Sequence, residues 1–310
     1  MAAKLLQGAP IADEIKARLR IELAGLKTKG LVPKLVAVLA GDNPGAVFYA
    51  NMQKKACEEV GIDYELKTLS DQITQAELAE VIDQLNADSA THGIILQMPV
   101  PRQVDGRALQ ARIDPRKDVD GVNPANLGAI VLGNPRLAPC TAMSVMEMVK
   151  ASGIEVYGKE AVVVGSSEIV GKPAALLLVD KWSTQNEDGH TDKMAGATVT
   201  ICHIGTSEKG DLAAHTKRAD ILVTAVGVKP GLITADMIKP GAVVIDVATI
   251  RVKDPESGKT KTRGDVEPEG AQEVASAITP VPGGVGTVTT ARLLQNTVEA
   301  AKWQQEAGAL

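Results

Sequence analysis

Aromatic side chains are nearly missing from this chain. They make up 2% of it, with a single Phe. That excludes the stacking platforms on which single-stranded nucleic acid lies. A basic excess is missing as well: the formal net charge is -5, so there is no electrostatic footprint for DNA or RNA. No apolar run reaches membrane-spanning length, and Met1 to Gln7 reads as no signal segment. Cysteine is scarce. Cys57, Cys140 and Cys202 are far apart and odd in number, which fits neither a disulfide framework nor a zinc spacing. They read as buried structural thiols in a reduced, cytoplasmic setting. No cluster of His, Cys and Asp suggests a metal, and no internal repeat or low-complexity segment is visible.

What is present is ample apolar content, 45% of 310 residues, enough for two cores and two domains of ordinary size. Helical periodicity marks Pro10 to Thr28, Val47 to Val60 and Thr74 to Asn86. Between them, KLVAVLA (Lys34 to Ala40), Ile62 to Leu69 and GIILQ (Gly93 to Gln97) read as strands. Strand and helix in alternation imply a parallel sheet. A helix over Thr141 to Ala151 links this domain to a second one. The second domain has strands at Glu160 to Val164, Thr198 to His203, Asp220 to Ala225 and Ala242 to Val247, again a doubly wound pattern. Lys181 to Gly196 reads as a long polar surface insertion of unassigned purpose, Asp254 to Lys261 as a hairpin tip, and Pro268 to Ala277 as a short helix. An amphipathic helix, Val288 to Trp303, closes the chain.

The second domain is organised around AVVVGSSEIVGKP, Ala161 to Pro173. Four apolar residues form a buried strand, and Gly165 lets the backbone turn sharply where it ends. Ser166, Ser167 and Glu168 then offer a helix start. Free N–H groups at such a start make an anion site, in a βαβ unit most often for a dinucleotide pyrophosphate. The spacing, Gly165 then Gly171, departs from G-x-G-x-x-G, so an ordinary strand-to-helix turn stays open on this stretch alone. Two further stretches are built like sites. DPRKDVDGVN (Asp114 to Asn123) is a charged loop, and ITPVPGGVGTVTT (Ile278 to Thr290) is a rigid, bare loop that a ligand can approach closely.

YANMQKKACEEVGI (Tyr49 to Ile62), GIILQMPVP (Gly93 to Pro101), DPRKDVDGVNPANLG (Asp114 to Gly128), the Gly165 turn and TPVPGGVG (Thr279 to Gly286) occur in this order. Together they resemble the methylenetetrahydrofolate dehydrogenase/methenyltetrahydrofolate cyclohydrolase family, over nearly the whole chain. The resemblance implies an α/β chain of two domains facing across a cleft. A folate-binding catalytic domain would span 1–150 plus the returning helix 285–310, and a Rossmann-like NAD(P)-binding domain 151–284. It implies oxidation of 5,10-methylenetetrahydrofolate by hydride transfer to a nicotinamide. In bifunctional members, hydrolysis to 10-formyltetrahydrofolate follows. It also implies a homodimer paired through the nucleotide domains. Tyr49 would pack near the folate, Gln97 would hydrogen-bond the folate or its neighbouring catalytic group, and Asp120 would accept from pterin N–H groups. Pro282, Gly283 and Gly284 would wall the folate side. Gly165, Ser166, Ser167, Ile169, Val170, Gly171, Ile204, Ala225, Gly227, Thr249, Gly286 and Thr289 would meet the cofactor.

The chain departs from the family at the residue four after Tyr49. There the family has a lysine for proton chemistry, and this chain has Gln53. Glutamine exchanges hydrogen bonds but holds no proton near neutrality. Lys54 points about 100° away around the helix. The dehydrogenase needs mainly positioning, whereas the cyclohydrolase needs acid–base help, so the second step is in question. Without the neighbouring motifs, Tyr49 and Gln53 read as a half-buried aromatic and a surface amide. Ser166 stands where many members carry an arginine for a 2′-phosphate, and Ile204 where a polar residue is usual. This favours NAD over NADP, although no acid ends the second strand to claim a ribose hydroxyl and Lys172 or a lysine of the insertion could reach in. Three alternatives stand beside the leading reading. One is a fully bifunctional enzyme, with Gln53 orienting water or Lys54 swinging in. Another is a non-catalytic folate-binding homologue. The last is a nicotinamide dehydrogenase of amino-acid or shikimate type.

Overall fold

A computed structural model describes residues 2–180, 183–185, 191–193, 195–253 and 260–308. In chain order the elements begin with β1 (Lys4–Leu5), α1 (Gly8–Thr28), β2 (Lys34–Ala40), α2 (Pro44–Val60) and β3 (Asp63–Leu69). Next come α3 (Gln75–Ala87), β4 (Gly93–Leu96), α4 (Gly106–Arg112), α5 (Pro124–Val131) and α6 (Cys140–Ser152). They are followed by β5 (Glu160–Val164), α7 (Gly171–Val179), β6 (Ser183–Gln185), β7 (Thr191–Lys193) and β8 (Thr198–Cys202). Then come α8 (Ile204–Glu208), α9 (Leu212–Thr216), β9 (Ile221–Thr224), β10 (Val243–Asp246), β11 (Ile250–Lys253) and β12 (Thr260–Arg263). The last are α10 (Pro268–Val274), β13 (Ala277–Ile278) and α11 (Val285–Glu306).

The contacts divide into two compact units, 12–140 with 290–310, and 1–11 with 141–289. This differs from a division at 150 and 285. Lys4 and Leu5 pair in parallel with Ala277 and Ile278, so the first residues add an edge strand to the sheet of the unit holding 141–289 rather than joining the unit holding 12–140. The chain passes from unit to unit inside α1, α6 and α11, each a continuous helix.

In the unit holding 12–140, a three-stranded parallel sheet has the order β3-β2-β4. All four residues of β4 and six of seven in β2 are buried, the near-continuous apolar pattern of a sheet covered on both faces. Val36, Val38, Leu78, Ile82, Ile94, Leu96 and Leu109 fill one side of it. Helix α3 begins with a complete capping box between Thr74 and Glu77. Helix α11 carries Asn296, whose Nδ2 donates to the carbonyls of Val119 (2.9 Å) and Ala138 (3.0 Å).

The other unit holds a six-stranded parallel sheet in the order β1-β13-β10-β9-β5-β8. Val162, Val164, Leu222 and Val244 lead its core. This is a Rossmann-like doubly wound arrangement: β8 lies on one side of β5 and β9 on the other, so the loops after β5 and β9 diverge at a switch point. Ser183–Gln185 pairs antiparallel with Thr191–Lys193, a ladder within the segment expected to be loop. The rest of that insertion, residues 181–182, 186–190 and 194, lies outside the described residues, as do residues 254–259 of the expected hairpin tip. The β11–β12 ladder leading to that tip is present.

Candidate active site

The register of the six-stranded sheet aligns the ends of its strands. Val164 pairs with Cys202 and with Thr224, and Thr224 pairs with Asp246. The residues that follow these strands, Gly165, His203, Ala225 and Val247, therefore emerge in one row at the carboxyl ends. Gly165 has φ +125°, and a Cβ there would stand 2.5 Å from the Ala225 carbonyl oxygen. A Cβ on Gly171 would collide with the Gly165 carbonyl. Only glycine lets these backbones approach so closely.

Helix α7 does not start at Ser166–Glu168 as the sequence suggests. It starts at Gly171, after a turn. Ser167 Oγ accepts from the N–H groups of Val170 (3.2 Å) and Gly171 (3.3 Å), so its hydroxyl organises the turn instead of capping at the expected position. Ser166 and Val170 are partly exposed, and Ile169 is exposed. Ile204 is 75% exposed at the start of α8, behind His203, whose Nδ1 accepts from Gly205 N–H. Gly227 and Thr249 are exposed. In the following loop, Pro282, Gly283 and Gly286 are exposed, Gly284 is buried, and Thr289 is half-buried. Gly8 N–H donates to the Gly283 carbonyl at 2.8 Å, tying the start of α1 to this loop.

The other unit brings two predicted residues into direct contact. Gln97, immediately after β4, donates from Nε2 to Oε1 of Gln53 on α2 at 2.7 Å. Both are buried, at 5% and 8% exposure. Read alone, the sequence suggested a surface amide at position 53; packing against the end of β4 buries it. Tyr49, one turn earlier on α2, is open to solvent and meets Phe48 edge-on, 5.8 Å between ring centres. Lys54 is exposed and stands 4.0 Å from Glu58. Asp120 follows the Ile94–Asp118 bridge that lays this segment beside β4. Desolvation, then the like charge of Asp118, pushes its carboxyl up to about 7. Asp118 itself is fully buried and structural. It accepts from the N–H groups of Gly121 and Asn123 and from Asn126 Nδ2.

The sequence reading passed over Asp246 and Asp265, both buried at the edge of the six-stranded sheet. Burial pushes the Asp246 carboxyl up to about 6. The only sequence signal was an acid at the end of an apolar strand (VVID) and another after glycine (RGD). Among the described residues, no group of three or more His, Cys, Asp or Glu could hold a metal ion, and no helix is long and apolar enough to cross a membrane.

Two family models match: tetrahydrofolate dehydrogenase/cyclohydrolase, catalytic domain, over residues 6–120, and the NAD(P)-binding domain of the same family over 139–305. The chain belongs to the tetrahydrofolate dehydrogenase/cyclohydrolase family. Among relatives of this family, the bifunctional protein FolD of Acetivibrio thermocellus is 47% identical, covering 98% of this chain and 99% of that protein. The crystal structure of the bifunctional enzyme from Campylobacter jejuni is 41% identical, with a TM-score of 0.87 over 98% of this chain and 100% of that one. The Trypanosoma brucei enzyme, solved with NADP and an inhibitor, is 36% identical, with a TM-score of 0.88 over 98% and 99%.

Proposed function

We propose that this chain oxidises 5,10-methylenetetrahydrofolate to 5,10-methenyltetrahydrofolate with NAD(P)+, and that its cyclohydrolase step is lost or weak. The observation that carries the second half is the buried Gln97–Gln53 hydrogen bond. The amide at the family's lysine position has its oxygen engaged by Gln97, and it has no proton to give or take near neutrality. Lys54 faces solvent beside Glu58 and offers no replacement.

In this reading the folate meets Tyr49, Gln97 and Asp120, with Asp120 accepting from pterin N–H groups once ionised. By the family resemblance Pro282, Gly283 and Gly284 are also folate-binding residues. Residues 12–140 with 290–310 are the folate-binding domain, and 1–11 with 141–289 the nucleotide-binding domain. What supports a dinucleotide here is the strand–turn–helix at Gly165 to Gly171, whose turn is packed tightly on the Ala225 backbone and carries two serine hydroxyls, Ser166 and Ser167. When bound, the nicotinamide supplies the hydride acceptor. The chain's own task is to hold it through Gly165 to Gly171, Ile204, Ala225, Gly227, Thr249, Gly286 and Thr289, and to exclude water. Ser166 and the exposed Ile204 bring no cation toward a 2′-phosphate, which favours NAD. A homodimer through the nucleotide-type unit and a cytoplasmic location, in keeping with three free buried cysteines, complete the reading.

The test mixes the purified protein with 5,10-methylenetetrahydrofolate and NAD or NADP, following reduced nicotinamide and methenyl absorbance together. Reduced cofactor with accumulating methenyl product is the expected result. Methenyl that vanishes faster than spontaneous hydrolysis overturns the loss of the second step. No reduction with either cofactor overturns the dehydrogenase.

A further inference from the structure

Four buried polar side chains stand at the carboxyl edge of the six-stranded sheet: Thr224, Asp246, Asp265 and Thr279. Asp246 is their centre. Its Oδ1 accepts from the Thr224 hydroxyl (3.2 Å), Ala248 N–H (3.1 Å) and Asp265 N–H (3.2 Å), and its Oδ2 from Val266 N–H (2.9 Å). Gly264 presses so closely on this carboxylate that no Cβ fits between them. Two arms leave the centre. On one, Asp265 accepts from Val226 N–H (2.7 Å) and Gly227 N–H (2.9 Å), clamping the turn after β9 with both oxygens. On the other, Thr279 Oγ1 accepts from Asp246 N–H (2.7 Å) and donates to the Asp246 carbonyl (3.3 Å). Thr279 opens the loop that runs to Gly284.

Among the described residues only Asp265 accepts from the Val226 and Gly227 amides, whereas the 279–284 loop is also held by Thr279 N–H on the Val244 carbonyl and by Gly8 N–H on the Gly283 carbonyl. The buried Asp246 network is the anchor that these two loops share. Four donors compensate the burial of the Asp246 carboxylate, and a buried network whose members are satisfied rigidifies the segments that it joins.

We propose that Asp246 is a positioning residue that couples the 225–227 turn to the 279–284 loop, acting through Asp265 on one side and Thr279 on the other. It touches neither substrate nor cofactor. This rests on the reading that both loops face the nucleotide and the folate. Its specific consequence is that a change at Thr279 is felt at Val226 and Gly227, which Thr279 does not contact.

The test uses the full chain carrying Thr279→Val, with Asp265→Asn and Asp246→Asn as companions. Amide hydrogen exchange is followed at Val226 and Gly227, and NADH and NADPH binding is followed by nicotinamide fluorescence. Thr279→Val is expected to speed exchange at Val226 and Gly227 roughly tenfold while leaving β2–β4 unchanged, because the opening is local. It is also expected to weaken NADH or NADPH binding by about three- to tenfold, with Asp265→Asn non-additive on top of it. Exchange at Val226 and Gly227 that matches the unaltered chain in Thr279→Val overturns the coupling, even if Asp246→Asn fails to fold. An unaltered chain that binds neither NADH nor NADPH overturns the nucleotide reading instead, and the exchange experiment still decides the coupling.

Discussion

Gln97 and Gln53 share a 2.7 Å hydrogen bond, Nε2 to Oε1, between the end of β4 and the middle of α2, and both side chains are buried. In the proposed reading, two neutral amides take the place of the titrating group that acid–base chemistry needs. Gln53→Lys should restore it. A lysine there would be desolvated, lowering its pKa toward the working range. General acid–base help is worth about 10²–10⁴-fold. Methenyl product should stop accumulating while cofactor reduction continues. Accumulation unchanged in Gln53→Lys, in a protein that still reduces cofactor, counts against the assignment.

The same pair gives a stability prediction. Gln97→Leu strands a buried amide oxygen and should cost about 1–3 kcal/mol. The double change, Gln53→Leu with Gln97→Leu, removes both polar partners and should recover most of that loss. Urea unfolding of the single and double variants measures it; a double variant less stable than the sum of the singles refutes the pair as a self-contained unit.

Asp120 should make folate binding and stability respond to pH in opposite senses. Its carboxyl is held at about 7, well above its unfolded value, because the charged form is desolvated and faces Asp118. Between the two values the native state binds the extra proton, so stability falls as pH rises from about 4 to about 7. If Asp120 accepts from the pterin as proposed, recognition needs its ionised form, and folate affinity should rise over the upper part of the same window. Asp120→Asn should flatten both responses. At pH 8 it should raise apo stability by on the order of 1–3 kcal/mol while weakening folate binding at least about tenfold. Thermal unfolding across pH with and without folate checks both arms.

The contrast between these acids shows what the sequence could and could not display. Local signals were strong where one segment decides the outcome. The Lys34–Ala40 strand and the Glu160–Val164 strand lie as the apolar runs indicate, and Gly165 turns the chain at a positive φ. Non-local outcomes were hidden. β1 finds its partner at Ala277–Ile278, at the far end of the chain, and no two-residue strand announces that. Gln53 is buried because β4 ends against it, and a helical wheel of α2 alone cannot show this. α7 starts late because Ser167 turns its hydroxyl onto Val170 and Gly171, a side-chain choice that competes with capping. Asp246 and Asp265 matter through partners on other strands, so their spacing in the sequence carries little signal.

Glycine at 165 is required by both space and backbone, whereas Gly286 has nothing within 4 Å of an added Cβ. Gly165→Ala should cost on the order of 3 kcal/mol of stability, from the positive φ and the collision with Ala225. Gly286→Ala should leave the melting temperature near that of the unaltered protein and act only on cofactor KM. Equal destabilisation by both changes would refute this distinction between a glycine fixed by packing and one with open space at its Cβ.

Cofactor choice comes down to the charge that meets a 2′-phosphate. Ser166 follows the Gly165 turn and is partly exposed, so a longer side chain has room to extend from it. Ser166→Arg supplies a planar, always charged donor that can bind a phosphate through paired N–H groups. A charge-assisted contact of this kind is worth about 1.5–3 kcal/mol, so the NADP-to-NAD ratio of kcat/KM should rise by roughly ten- to a hundredfold. The gain should appear in KM for NADP and fade with added salt, because the new contact is electrostatic and near the surface. A ratio that stays put in Ser166→Arg would mean that the phosphate position lies elsewhere, with Lys172 the next residue to test.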